Sequence, residues 1–259
     1  MKHKAKPFLF LIAFILIIGL ACSATAPSAP APEAPAPVAE VASPVPPPTE
    51  MPAPTAVPEP TAVPEPTVPP TPVPPKFFTE EFDGDLLNWS NFTFGEENSD
   101  FNLGTENGRL VFDIQGQGNF VYTYYDAQIY DDVRIETETT NKSYNDNNVS
   151  LFCRYTEGQG FYEFSIANSG LYWIFRLDET GDGYTTLASG GSNKVVTGQH
   201  TNQYAASCNG NKLTLYINGV ETTTVEDSTY TEGMVGVSVS SFDLVPIIVD
   251  FEWFKIMEP

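Results

Sequence analysis

The sequence predicts an all-β domain, a two-sheet antiparallel sandwich, behind an N-terminal export signal and a proline-rich linker. Three observations predict it. From Phe77 onward, short β-branched and aromatic runs alternate with a period of two, and helical spacing is missing. Turn-forming residues break these runs at Asn107-Gly108, Asn168-Ser169-Gly170, Asp182-Gly183, Asn209-Gly210 and Asn218-Gly219, all of which tolerate positive φ. Residues 23–76 hold 20 prolines and no aromatic residue, so a core can form only in the 183 residues 77–259, a length that suits one large β-domain.

The first element is residues 1–22. Lys2, Lys4 and Lys6 precede an unbroken apolar run from Phe8 to Ile18, then Gly19-Leu20-Ala21-Cys22. The apolar run is short for a membrane span and has the layout of a signal peptide. Its end resembles a bacterial lipoprotein signal, with Gly19 departing from the usual aliphatic residue. The resemblance implies cleavage before Cys22, lipid on Cys22 and an extracytoplasmic protein anchored to a membrane, at the cell surface or in a periplasm. An ordinary cleaved signal containing a Cys is the alternative.

Residues 23–76 form the second element. A six-residue unit occurs twice, Ala56-Val57-Pro58-Glu59-Pro60-Thr61 and Ala62-Val63-Pro64-Glu65-Pro66-Thr67. Proline fixes φ and removes amide donors, which excludes helix and sheet interiors. Polyproline II at about 3.1 Å per residue is expected, with an extended reach on the order of 170 Å as an upper bound. The expected role is a spacer. A ligand role for the prolines lacks the flanking specificity charges.

Residues 77–259 carry 28 acids against eight Lys and Arg, a net of −20. Such a field repels nucleic acid and anionic lipid surfaces. Strands are expected near 109–115, 119–125, 132–140, 148–155, 160–167, 171–177, 184–188, 203–208, 212–218, 221–226, 234–241 and 247–256. Leu213, Leu215 and Ile217 are expected to share a face, as are Leu171, Trp173, Phe175 and Leu177. With Cys22 lipidated, Cys153 and Cys208 remain as a pair for a disulfide in an oxidising compartment. That bond closes a loop of about 56 residues, worth about 4 kcal/mol in the chain-entropy model.

Several short motifs then recur in a set order. Phe82-Asp83-Gly84 with Trp89 opens the domain, followed by Asn107-Gly108-Arg109-Leu110, Cys153-Arg154-Tyr155 and Gly160-Phe161-Tyr162. Cys208-Asn209-Gly210 and Leu213-Thr214-Leu215-Tyr216-Ile217-Asn218-Gly219 follow, then Gly233-Met234-Val235-Gly236 and Val249-Asp250-Phe251-Glu252-Trp253-Phe254. This order resembles bacterial concanavalin A-like (laminin-G-like) jelly-roll domains over nearly all of 77–259. The resemblance implies the jelly-roll fold strongly and function weakly, because such domains serve as lectins, glycosidases and adhesion modules.

Chemistry in the domain has few candidates. His200 is the sole histidine after residue 22, in Gly198-Gln199-His200-Thr201, and reads as a loop residue. The resemblance would place glucanase carboxylates in a Glu-x-Asp-x-x-Glu strand, which is absent; Glu136 and Glu138 share a strand face in a polar stretch that reads as solvated. Carbohydrate binding in sandwiches uses flat rings and a few polar groups. The candidates are Tyr155, Tyr162, Tyr172 and Trp173, with Arg154 as polar partner; a place in the core is the competing expectation for each. Jelly-roll glucanases hold a structural Ca²⁺ with an Asp on the last strand and a carbonyl of an early Asn-Gly turn. The resemblance thereby implies Asp250 and Gly108 as metal-holding residues, against an Asp250 that faces solvent or accepts backbone amides. Asp178–Gly183 reads as a hairpin turn rather than a calcium loop.

The expected function is non-catalytic binding of a glycan or cell-envelope polymer, with no nucleic-acid partner. A protein-binding adhesion module and a glycoside hydrolase of unusual motif stay open. Glycan binding predicts exposed aromatics on the concave face; hydrolysis predicts two carboxylates converging in a cleft.

Overall fold

Alternation of apolar and polar residues drives the described residues into fifteen strands, with no helix among them. The computed structural model describes residues 75–95, 100–181 and 183–259; the signal, Cys22 and the linker through Pro74 lie outside them. In chain order the strands are β1 (Phe78–Glu80), β2 (Trp89–Gly95), β3 (Phe101–Thr105), β4 (Leu110–Ile114), β5 (Asn119–Tyr130), β6 (Val133–Asn141), β7 (Asn147–Thr156) and β8 (Gly160–Ala167). They continue as β9 (Leu171–Asp178), β10 (Gly183–Gly191), β11 (Thr201–Asn209), β12 (Lys212–Ile217), β13 (Val220–Glu226), β14 (Gly233–Ser241) and β15 (Ile247–Met257).

Two antiparallel sheets result. One has the order β13-β12-β11-β6-β15-β4-β3, with β1 added alongside β15; the other has the order β10-β9-β8-β7-β14-β5-β2. Residues facing inward from both sheets build one core. Leu110, Phe112, Ile135, Leu213, Leu215, Ile217, Val249 and Phe251 come from the first sheet, and Val121, Val149, Leu151, Phe164, Ile166, Val235, Val237 and Val239 from the second. Period-two alternation explains both sets. Cys153 on β7 and Cys208 on β11 are bonded, so the disulfide staples sheet to sheet.

The twelve strands expected from the sequence are all present, and the fold is the expected jelly-roll sandwich. The Asn-Gly turns behave as their chemistry requires: Asn107 and Gly108 have φ of 53° and 73°, and Asn218 and Gly219 have 49° and 76°. Strands β1 to β3 go beyond the sequence reading. The strand Trp89-Ser-Asn-Phe-Thr-Phe-Gly95 does alternate, but its Phe92 and Phe94 pack on a second aromatic cluster rather than the main core, and it lies at a sheet edge.

Candidate functional site

The outer face of the seven-stranded sheet carries the site. Its residues are those alternating with the core positions. Reading across the strands, Trp173, Ser165, Ser150, Ser238 and Tyr122 form one row; Phe175, Glu163, Phe152 and Gly236 form the next; Asn148, Ser240 and Phe120 begin a third. Small residues in the middle and rings at the sides leave a depression. A Cβ at Gly236 would lie 2.6 Å from Cζ of Phe152, so glycine there lets that ring lie against the sheet.

The result is a cleft of about 360 Å³ lined by Phe120, Asn148, Glu163, Ser165, Trp173, Phe175, Tyr184, Ser240 and Phe242. This volume is in the range of small-molecule sites. Trp173 and Phe175 on β9 are stacked in parallel, with ring planes 6° apart and centroids 6.3 Å apart. Phe175 meets Tyr184 edge-on at 5.3 Å. Neither Trp173 nor Phe175 is in the core, and both are half-buried.

Among the described residues Glu163 is the one charged residue lining the cleft, and it is 3% exposed. Ser150 Oγ donates to its Oε1 at 2.7 Å, and the hydroxyls of Tyr122 and Tyr184 both reach Oε2 at 3.1 Å. Those two hydroxyls also lie 2.8 Å from each other. Burial raises the Glu163 pKa, and the three hydroxyl bonds oppose that rise. Burial likewise raises Tyr122 well above the phenol range, with the Glu163 charge adding to it. On the same face Ser238 Oγ is buried without a hydrogen-bond partner. Beyond Phe242 a second depression of about 570 Å³ is lined by Gln117, Gly118, Phe242 and Asp243.

Of the five residues expected to bind carbohydrate, Trp173 alone lies at this cleft. Arg154 is a correction: it is 2% exposed and acts as an interior strut. Its guanidinium donates to the carbonyls of Asp131 and Tyr230 and to Asp132 Oδ1, at 2.9–3.4 Å. It has φ of 58°, at the bulge where β7 slips register against both neighbours. Tyr155 is buried beside the cleft in a second aromatic cluster, stacked on Phe92 at 4.8 Å. Tyr162 points into the core, where its hydroxyl donates to Asp227 Oδ1 at 2.5 Å and accepts the Tyr230 amide. Burial pushes its pKa up to about 12. Tyr172 alternates with Trp173, so its ring turns to the core side and packs over Gly190.

The calcium expectation meets a donor set that does not fit. Asp250 is 1% exposed, as a carboxylate among apolar neighbours needs a partner. The partners are cations: Lys142 Nζ contacts Oδ2, and Arg109 Nη1 lies 3.8 Å away while its Nε donates to Glu252 at 2.7 Å. Gly108 sits in the turn just before Arg109. A divalent ion there would meet two positive side chains, and no group of three or more His, Cys, Asp or Glu suited to a metal occurs among the described residues. Elsewhere, Glu136 accepts Arg134 at 2.5 Å and Glu138 accepts Gln203 at 2.9 Å on the other sheet's outer face. His200 is exposed between β10 and β11. Asp178 closes the β9–β10 hairpin by accepting the Thr180 amide at 2.8 Å.

Residues 78–243 match the sequence profile of the 3-keto-alpha-glucoside-1,2-lyase-like domain family. The chain belongs to that family. The matched span of this lyase-like domain runs from β1 through the end of β14 and so contains every residue lining the cleft. In structure the domain is similar to a beta-1,3-1,4-glucanase (lichenase) from a mouse hindgut metagenome, at TM-score 0.53 and 13% identity over 71% of this chain and 99% of that one. It is similar to a Bacillus licheniformis beta-glucanase at TM-score 0.50 and 14% identity, over 71% and 98%. A galectin-like fold from Bacillus subtilis matches at TM-score 0.53 and 10% identity, over 70% and 94%. These likenesses show the fold. No curated protein matches the chain in sequence.

Sequence reasoning missed Glu163, Tyr184, Phe120 and Phe242. Glu163 had a signal: it is a lone acid inside Gly160-Phe-Tyr-Glu-Phe164, a strand otherwise buried on both faces.

Proposed function

We propose that the domain binds carbohydrate in the cleft over β7, β8 and β9, without hydrolysing it, and is held at a membrane by lipid on Cys22. The parallel Trp173 and Phe175 rings carry the reading. Two half-exposed parallel rings on the cleft wall offer aromatic surface to the apolar face of a sugar, and Glu163, Ser165, Asn148 and Ser240 lie in reach of hydroxyls. Paired-carboxylate hydrolysis calls for a second acid, and among the described residues lining the cleft Glu163 stands without one. The similar glucanases agree with a sugar ligand by analogy of fold alone. The linker serves as a spacer between lipid and domain.

The test is an oligosaccharide array probed with the full chain and with Trp173→Ala. Binding that Trp173→Ala removes supports the reading. A blank array from a folded chain sinks it and shifts weight to a protein partner.

A second reading rests on the family and on Glu163. A 1,2-elimination from a 3-keto glucoside needs one base for the C2 proton, which the neighbouring ketone acidifies, and a buried carboxylate with a raised pKa is one. Release of the aglycone from a 3-keto glucoside, lost in Glu163→Gln, would establish it.

A further inference from the structure

The cleft resembles a cation site more than a neutral sugar site. Five of its nine lining residues are aromatic: Phe120, Trp173, Phe175, Tyr184 and Phe242. Ring faces attract cations through their quadrupole, most strongly where water is excluded. At the floor sits a carboxylate with three hydroxyl donors and, among the described residues, no basic partner. The basic residue nearest in sequence on β9, Arg176, turns away from this face and is held by Asp227 Oδ2 at 2.9 Å and by Thr229. Across Phe242 the adjoining depression offers a second acid, Asp243. The domain around them carries a net charge of −20, which concentrates cations and repels anions.

We infer that the ligand is a cationic sugar, an oligomer bearing free protonated amines such as a 2-amino-2-deoxyhexose polymer, with one ammonium between the cleft's rings and Glu163. This rests on the carbohydrate reading above and narrows it. An anionic sugar is excluded by the same geometry, since its charge would face Glu163 without a compensating cation. A neutral sugar would leave the carboxylate without a charged partner in a cleft walled by five aromatic rings.

The experiment is calorimetry on the full chain at neutral pH and fixed ionic strength. The probes are the β-1,4-glucosamine tetramer, its N-acetylated counterpart, cellotetraose and tetramethylammonium. The expected result is affinity for the glucosamine tetramer at least tenfold above both neutral tetramers, abolished in Trp173→Ala, with the preference erased in Glu163→Gln. Equal binding of all three tetramers, lost in Trp173→Ala, overturns the cation inference and leaves carbohydrate binding standing. Tetramethylammonium binding that depends on Trp173, with no tetramer bound, leaves a cation site and overturns the carbohydrate reading. Glucosamine binding that survives Trp173→Ala reflects only the domain's field and overturns the inference. The selectivity series uses the unaltered chain, so it decides the matter even where Glu163→Gln fails to fold.

Discussion

The ammonium of Lys142, just past β6, contacts the carboxylate of Asp250 on β15, which is otherwise sealed from water. Arg109 sits further off and is engaged by Glu252. Breaking a pair whose acid is buried leaves an uncompensated charge, and the half-exposed lysine moderates the loss. Lys142→Met is expected to destabilise the domain by about 1–3 kcal/mol, and adding Asp250→Asn to recover part of it. Denaturant unfolding of the single and double variants against the unaltered chain measures this. The unaltered chain is expected to melt at the same temperature in calcium and in chelator; a rise in calcium would restore the metal reading.

Glu163 predicts a pH dependence. Burial raises its folded pKa above the unfolded value, opposed by the bonds from Ser150, Tyr122 and Tyr184. A raised acid contributes stability that is full below the ordinary carboxylate range and lost as pH rises through the folded value. The two tyrosines facing it stay protonated throughout. Melting temperature should therefore fall from mildly acidic to neutral pH by more in the unaltered chain than in Glu163→Gln. Parallel curves would show that Glu163 is ionised in the fold without cost.

Asp227 works in the opposite sense. Burial acts to raise it, but hydrogen bonds from Tyr162 and Thr229 and the charge of Arg176 carry it below the usual carboxylate range. Its contribution is present above the unfolded value and lost on acidification through the lowered one. Tyr162→Phe is expected to cost about 1–3 kcal/mol at neutral pH and to reduce the acid sensitivity of unfolding. It should leave ligand affinity alone, since Tyr162 lies inside the core.

Ser238 Oγ is buried on the floor of the outer face without a partner. Removing an unsatisfied hydroxyl without changing shape is expected to be neutral or stabilising, by about 1 kcal/mol. Thermal unfolding of Ser238→Ala checks it. A clear loss of stability would mean that the hydroxyl is bonded in solution, through a water.

The bond between Cys153 and Cys208 closes a long loop between the sheets, and its loss by Cys153→Ala with Cys208→Ala is expected to cost about 2–5 kcal/mol. Urea midpoints measured against the intact chain test this.

Much of the architecture was legible because period-two alternation encodes which face is buried. Leu213, Leu215 and Ile217 read correctly, as did the Asn-Gly turns and the cysteine pair. The site was less legible, because alternation does not say which of two faces meets the opposite sheet and which meets a ligand. Tyr162 and Glu163 are adjacent and equally hidden, yet one is core and the other is cleft floor. Trp173 and Phe175 were placed on one face with Leu171, as observed, but whether that face was core required the second sheet. Arg154 misled because a cation beside a disulfide looks available; only its left-handed backbone and its carbonyl partners show it turned inward.

Strand β5 begins beside the cleft at Phe120 and ends at Tyr130, whose hydroxyl donates to the Lys76 carbonyl at 2.8 Å, where the chain enters the domain. Phe120 pairs with Ser240 and Tyr130 with Gly233 on β14, so at about 3.3 Å per residue the two points stand roughly 23 Å apart, toward opposite ends of the strand. Strand β1 runs from that entry and pairs with β15 from Phe78↔Ile256 to Glu80↔Phe254. Were a ligand held in the cleft and the chain anchored through its N-terminus, as proposed, a pull between them would act along the strands. The β1–β15 hydrogen bonds would then be loaded together in shear instead of unzipping one by one, a geometry that would resist tension.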